Sequence, residues 1–242
     1  MTSGGSPPVT LALDTAGLAC SVVVAIGDRV LSAERKENMH GQAEALLPMV
    51  DSAMRKAGLT PRALDLVAVT VGPGSFTGIR VGLAGARGIA LATGARLIGV
   101  TSFEAIAAAV VRRDSDRDRF LLVALDSRRS DLYVQFFDPR CDPIDGPAAI
   151  MPGDLGGAVN ATIGAAPLSV AGDAAQRAAL ALAERPDMRI LTETASGAVG
   201  ALRAALRALQ VGGESDSARP LYLRPPDVTL SSLRREADRD IA

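Results

Sequence analysis

Apolar residues dominate a run at 9–14 that ends in an acid, and two further runs at 20–26 and 30–35 flank a Gly27-Asp28 turn. Short apolar runs separated by such a turn read as strands, so the chain opens on a three-stranded antiparallel meander. Over 42–57, Leu46, Leu47, Val50, Ala53, Met54 and Ala57 recur at helical spacing and Gly58 follows as a stop signal, which predicts a helix. A buried strand at 66–71, a helix at 76–92, a strand at 96–100 and a helix at 102–111 continue the pattern. Strands alternating with helices imply that part of the sheet is parallel.

The run 112–119 is nearly all charged and has the composition of an exposed linker. After it the pattern restarts: 121–126 is again an apolar strand ending in an acid and 131–138 a second strand, so that Ala12-Leu13-Asp14-Thr15 is echoed by Ala124-Leu125-Asp126-Ser127, a weak internal repeat. Helices are expected near 174–183 and 196–209 in a remainder poorer in strands, and 234–240 is nearly all charged. The expected organisation is an N-terminal lobe at 9–111, a C-terminal lobe at 119–224, and flexible tails at 1–8 and 225–242.

Composition narrows the function classes. A chain of 242 residues with 48% apolar content can bury a sizeable core, and 26 basic against 27 acidic residues, a net charge of -1, provide no global attraction for a polyanion. Aromatics are 3% and Trp is absent, which argues against base stacking as a dominant mode. Cys20 and Cys141 are too few for a disulfide framework or a thiolate metal site and fit a reducing cytosol. Residues 1–8 lack the basic start and apolar stretch of a signal peptide and no segment has membrane-spanning length, so a cytoplasmic protein with no membrane contact is expected.

Residues 72–80, Gly-Pro-Gly-Ser-Phe-Thr-Gly-Ile-Arg, join a predicted strand to a predicted helix, which places backbone N–H groups and two hydroxyls at a helix N-terminus. That arrangement suits an anion, although the lysine and glycine spacing of a P-loop are missing and a tight turn that binds nothing is the plainer alternative. With the strand-end pair Asp14 and Thr15, the candidate anion set is Gly72, Gly74, Ser75, Thr77, Gly78 and Arg80. Asp126 with Ser127 is the corresponding pair in the restart, and acids at strand ends also serve as turn formers. Gly78, Gly82, Gly85 and Gly88 fall on the helix, each costing about 1 kcal/mol relative to Ala. Bare backbone permits close approach by the protein's own sheet or by another subunit. Ala45 and Met49 lie off the main apolar stripe of helix 42–57 and Pro48 interrupts its bonding, so a second apolar face points to association. His40 is the single histidine, so no paired-histidine metal site can be assembled; it reads as a local hydrogen-bonding residue, and neither a metal nor a cofactor is expected.

Several of these segments carry a family resemblance: Ala12-Leu13-Asp14-Thr15, Glu44-Ala45-Leu46-Leu47-Pro48, Ala57-Gly58-Leu59, the VGPGSFTGIRVG run at 71–82, Gly99-Val100-Thr101-Ser102-Phe103-Glu104-Ala105 and, near the end, Pro220-Leu221-Tyr222-Leu223-Arg224. Together they resemble the TsaB (YeaZ) family of tRNA threonylcarbamoyladenosine biosynthesis. The resemblance implies an α/β, actin-like ATPase (ribonuclease H-like) fold of two lobes with a duplicated core and a reduced second lobe. It implies a non-catalytic subunit that supports TsaD, the paralogue that transfers threonylcarbamoyl from its adenylate to the adenosine beside the anticodon. TsaD would dock as a heterodimer partner on the first-lobe helices, here through His40, Ala45, Leu46, Met49, Gly78, Gly82, Gly85 and Ala86. The TsaE ATPase would join, a homodimer is the alternative assembly, and contact with tRNA would be indirect. The competing reading from the residues is a stand-alone small-molecule kinase or ATPase that uses Asp14, Thr15, the 72–78 loop and Asp126.

Overall fold

A computed structural model describes residues 6–37, 41–110, 118–191, 197–211 and 218–224. The meander forms as predicted, with β1 (Val9–Asp14), β2 (Ala19–Ile26) and β3 (Arg29–Glu37) antiparallel in turn. After α1 (Gln42–Ala57), a short 3-10 turn (Pro61–Ala63) leads to β4 (Leu66–Thr70), which lies parallel to β1; α2 (Phe76–Thr93) then leads to β5 (Arg96–Val100), parallel to β4. The first sheet therefore runs β3-β2-β1-β4-β5. Local chemistry sets the helix ends: Gly58 in the left-handed region stops α1, the Ser75 hydroxyl caps α2, and Thr101 with Glu104 forms a reciprocal capping box on α3 (Ser102–Ala109).

The second half repeats this plan in full. β6 (Phe120–Asp126), β7 (Leu132–Phe137) and β8 (Ala148–Ile150) form the meander, α4 (Pro152–Ile163) precedes β9 (Leu168–Ala171), and α5 (Ala175–Ala181) precedes β10 (Met188–Ile190). Read from β8 to β10, the sheet order is β8-β7-β6-β9-β10, with the same antiparallel and parallel pairings as the first. The expectation of a strand-poor remainder is corrected, because β8, β9 and β10 are only three or four residues long and α4 holds four Gly/Pro positions that hide its period. The repeat glimpsed at Asp14 and Asp126 is a duplication of the whole element order.

Side-chain alternation sorts the layers. Leu11, Leu13, Val22, Val24, Val67 and Val69 point to α1 and α2, whereas Ala12, Val23, Ala25, Leu66 and Ala68 point to α6 (Gly197–Gln210) on the other face. In the second sheet, Leu122, Val134 and Val170 face α4 and α5, while Leu121, Val123 and Phe137 face Phe103 and Ala107 of α3. Each half thus sends its last helix onto the other half's sheet, and α3 and α6 lie side by side between them. The expected lobe boundary is accordingly corrected for α6: residues 197–210 follow the second sheet in the chain but pack on the first, because their Ala-rich face (Ala198, Ala201, Ala205) matches its small side chains. Gly200 lies so close to the Ala105 carbonyl that any side chain there would overlap it.

The proposed linker 112–119 lies mostly outside the described residues, but Arg119 is described and is buried. Its guanidinium donates to Ser169 Oγ (3.2 Å) and to the Leu168 and Asp187 carbonyls, so a residue read as exposed ties β9 to the approach of β10. At the other end, residues 218–224 form a strap across both halves: the Leu221 N–H donates to the Val71 carbonyl (2.8 Å), Leu221 packs on the first core and Leu223 on the second. The Gly27 N–H donates to the Pro8 carbonyl (2.9 Å), which fixes one end of the expected tail 1–8. Residues 225–242 lie outside the described residues.

Candidate functional site

The candidate anion residues do come together, where β1, β4 and α2 meet. Asp14 ends β1 with its carboxylate turned inward: Oδ1 accepts from Thr70 Oγ1 (2.5 Å) and from the Ala16 N–H (3.0 Å). Burial pushes its pKa up, only partly offset by those two donors and by the charge of Arg35. The start of α6 lies against its other oxygen, since a side chain at Gly197 would collide with Oδ2, and the next residue's N–H is taken by Ser21 Oγ (3.0 Å). Cys20 lies close enough for the Asp14 charge to reinforce burial in raising its thiol pKa. Thr15 is fully buried and donates to the Gly78 carbonyl (2.6 Å).

The 72–75 loop is equally committed to internal partners. The Ser75 N–H donates to the Ala16 carbonyl (2.7 Å), Ser102 donates through its N–H to Gly72 and through Oγ to Pro73 (both 2.8 Å), and the Gly78 N–H is spent on the Ser75 cap (3.2 Å). Thr77 and Arg80 point outward. The loop therefore anchors β1, α3 and the strap to one another, beside an Asp14 that stays partly exposed. Sequence reasoning missed Thr70, Ser21 and Gly197, which surround Asp14 and the start of α6, since no local pattern links residues so distant in the chain.

The corresponding acid of the second half is arranged differently. Asp126 remains accessible and accepts from Arg177 Nη1 (3.0 Å) and the Arg128 N–H (3.0 Å), while its own N–H donates to Asp173 Oδ1 (2.8 Å). Burial raises the Asp173 pKa. Asp131 is buried, accepts from Ser127 Oγ (3.0 Å) and pairs with Arg224 of the strap at 2.6 Å, as a charge contact without hydrogen-bond alignment. Among the described residues no three His, Cys, Asp or Glu side chains are grouped as metal ligands.

The candidate interface needs a correction. Gly78, Gly82, Leu46 and Ala86 are buried inside the chain. A methyl at Gly82 would overlap Thr15 Oγ1, and one at Gly85 would come within 2.9 Å of Leu46 Cδ2, so these glycines let α2 close on β1 and α1. Ala45 and Met49 are half-buried, and His40 lies outside the described residues. The outer surface of the pair is made by other residues: Leu47 (57% exposed) on α1, and Ala84, Gly88 and Leu91 (88% exposed) at helical spacing on α2.

Comparison with known proteins places this geometry. The family model described as TsaD, tRNA N6-adenosine threonylcarbamoyltransferase, matches residues 38–158. The chain is 34% identical over 222 residues to an uncharacterized protein of Mycobacterium tuberculosis, covering 90% of this chain and 92% of that one. It is 33% identical over 124 residues to the tRNA threonylcarbamoyladenosine biosynthesis protein TsaB of Haemophilus influenzae, and its fold matches YeaZ from Pseudomonas aeruginosa with a TM-score of 0.71 and 25% identity, covering 89% of this chain and all of that one. The chain belongs to the TsaB (YeaZ) family. Its alignment with the Haemophilus influenzae TsaB spans 51% of each chain. Two sheets of identical order with exchanged third helices are the duplicated, actin-like architecture that this TsaB-family sequence implied. Among the described residues no helix is long and apolar enough to cross a membrane.

Proposed function

We propose that this chain is a non-catalytic subunit of tRNA threonylcarbamoyladenosine biosynthesis that docks on TsaD through the outer face of α1 and α2, with the TsaE ATPase joining that assembly. The observation that carries the reading is the exposure of Leu47 on α1 and of Ala84, Gly88 and Leu91 at helical spacing on α2 of a TsaB-family chain. Large aliphatic side chains left in water on a helix pair whose inner face is fully packed favour burial against another protein. Asp14 Oδ1 is already taken by the Thr70 hydroxyl and the Ala16 N–H, which supports a role without phosphoryl chemistry. A second copy of the chain on the same face is the alternative assembly.

Co-expression with TsaD of the same organism, followed by measurement of complex mass, tests this. The wild type is expected to co-elute with the transferase, and Leu91→Asp to weaken the complex at least tenfold with an unchanged unfolding midpoint. Separate elution of the two wild-type proteins would sink the reading. Micromolar Mg-ATP binding by the isolated chain, with turnover lost in Asp14→Ala, would favour the kinase alternative.

A further inference from the structure

Grouped by what they pack on, the described elements form two bodies. β1 to β5 carry α1 and α2 on one face and α6 on the other, and β6 to β10 carry α4 and α5 on one face and α3 on the other. The principal contact between the bodies is α3 against α6, made by small side chains and by Gly200 against the Ala105 carbonyl. Ser102 at the start of α3 adds its bonds to Gly72 and Pro73, and Arg207 of α6 adds an exposed ion pair with Asp142 (2.7 Å), which contributes little. These contacts follow the two helices, and a junction confined to one helix pair resists separation far better than rotation.

The strap, residues 218–224, joins the bodies a second time. It is held on the α2 face of the first sheet, opposite α6: Arg87 donates to the Ala218 carbonyl (2.8 Å), the Leu221 N–H donates to the Val71 carbonyl (2.8 Å), and Ala218 and Leu221 enter that core. The Tyr222 ring adds a contact with Phe76 of α2, their centroids 5.5 Å apart. The last two residues cross to the second body, where Leu223 packs on the cluster that holds Leu121, Val123 and Phe137, and Arg224 reaches Asp131 at 2.6 Å. Asp131 is a firm anchor, because it is buried and accepts from Ser127 Oγ at both its carbonyl (2.7 Å) and Oδ1 (3.0 Å). Ties on opposite faces of one sheet block the rotation that either alone would allow. The two ends of the strap are unequal: the first is bonded through its backbone and packed in a core, whereas the second depends on one half-buried leucine and one half-buried guanidinium.

We propose that residues 218–224 act as a latch that fixes the angle between the two bodies, with Leu223 and Arg224 as the end that lets go. The inference does not depend on the docking proposed above, and its test needs no partner. Double electron–electron resonance on the full chain measures it, with spin labels placed through Arg55→Cys on α1 and Leu180→Cys on α5 in a Cys141→Ser background; both labelled positions are exposed, and Cys20 is buried. With the wild-type strap the labels should give one narrow distance distribution. Leu223→Ala/Arg224→Ala, with Asp131→Asn added so that no buried carboxylate is left unpaired, should broaden the distribution or add a second maximum. Hydrogen exchange should show the Leu221 amide still protected in that variant, since the strap stays on the first body. Arg224→Lys, which keeps the charge, should remain narrow.

A triple variant as narrow as the wild-type strap overturns the latch, because the helix pair would then suffice. A wild-type strap that already gives a broad distribution overturns it too, and that result needs no strap variant to fold. Loss of Leu221 protection in the triple variant would show the strap leaving as a whole and overturns the assignment of Leu223 and Arg224 as its releasing end.

Discussion

Gly82 and Gly88 stand on one helix in opposite surroundings, and exchanging each for alanine separates internal packing from partner contact. At Gly82 the added methyl would overlap Thr15 Oγ1 and lie 3.5 Å from Val69 Cγ2. Overpacking of a tight core site costs about 1–3 kcal/mol. Displacing the Thr15 hydroxyl from the Gly78 carbonyl adds about 0.5–1.5 kcal/mol, and the helix propensity gained by replacing glycine returns about 1 kcal/mol. Gly82→Ala should therefore destabilise the chain by about 2 kcal/mol. At Gly88 no described atom outside its own helix turn lies within 4 Å of the new methyl, so only the propensity gain remains and Gly88→Ala should stabilise by up to about 1 kcal/mol. For a chain of this size, about 2–4 °C accompanies each kcal/mol, which predicts a fall of roughly 4–8 °C for one variant and a rise of roughly 2–4 °C for the other. Thermal unfolding followed by circular dichroism measures both. If Gly82→Ala unfolds at the wild-type temperature yet fails to bind TsaD, Gly82 serves a partner and the packing described above is wrong.

Two further outcomes follow from the polar interior, beside the docking test already given. The folded-state pKa of Asp14 is raised above its ordinary 3.8, so the folded chain holds the proton more tightly than the unfolded chain. The stability this contributes is complete below about 3.8 and is lost as pH rises through the higher folded value, and Asp14→Asn keeps the acceptor for Thr70 without the buried charge. Urea midpoints of Asp14→Asn minus wild type should thus grow between acidic and neutral pH; a difference that shrinks with pH would contradict the assignment of burial as the dominant cause. Arg224→Ala strips the partner from buried Asp131 and should cost about 1–2 kcal/mol, less than the roughly 3–5 kcal/mol of a fully buried pair because the Arg224 side chain is 36% exposed. Rescue of stability by adding Asp131→Asn would be expected, and its absence would locate the loss in strap packing instead.

Much of the fold could be read along the chain wherever neighbours in sequence decide the outcome. The period of Leu46, Val50, Ala53 and Ala57 with Gly58 behind it specifies α1, the Thr101-Glu104 pair specifies the start of α3, and alternation in β1 and β2 specifies which residues enter the core. The Asp14 and Asp126 echo was legible as well, since duplicated strands retain the same apolar run and terminal acid. Family motifs led to the correct relatives because residues 71–82 form one continuous strand-turn-helix segment that can be recognised along the chain.

Tertiary structure alone decided which face of α2 is interior. Gly78, Gly82 and Gly85 permit close approach from any quarter, and only the position of Thr15 and Leu46 shows that the chain itself fills that space, leaving Ala84, Gly88 and Leu91 outside. The exchange of α3 and α6, the close approach of Gly197 to Asp14 and the meeting of Phe76 with Tyr222 were likewise invisible beforehand. Each depends on contacts between residues far apart in sequence. Such contacts are selected by the complementary shape and charge of surfaces that exist only once both elements have formed, and no single segment encodes them.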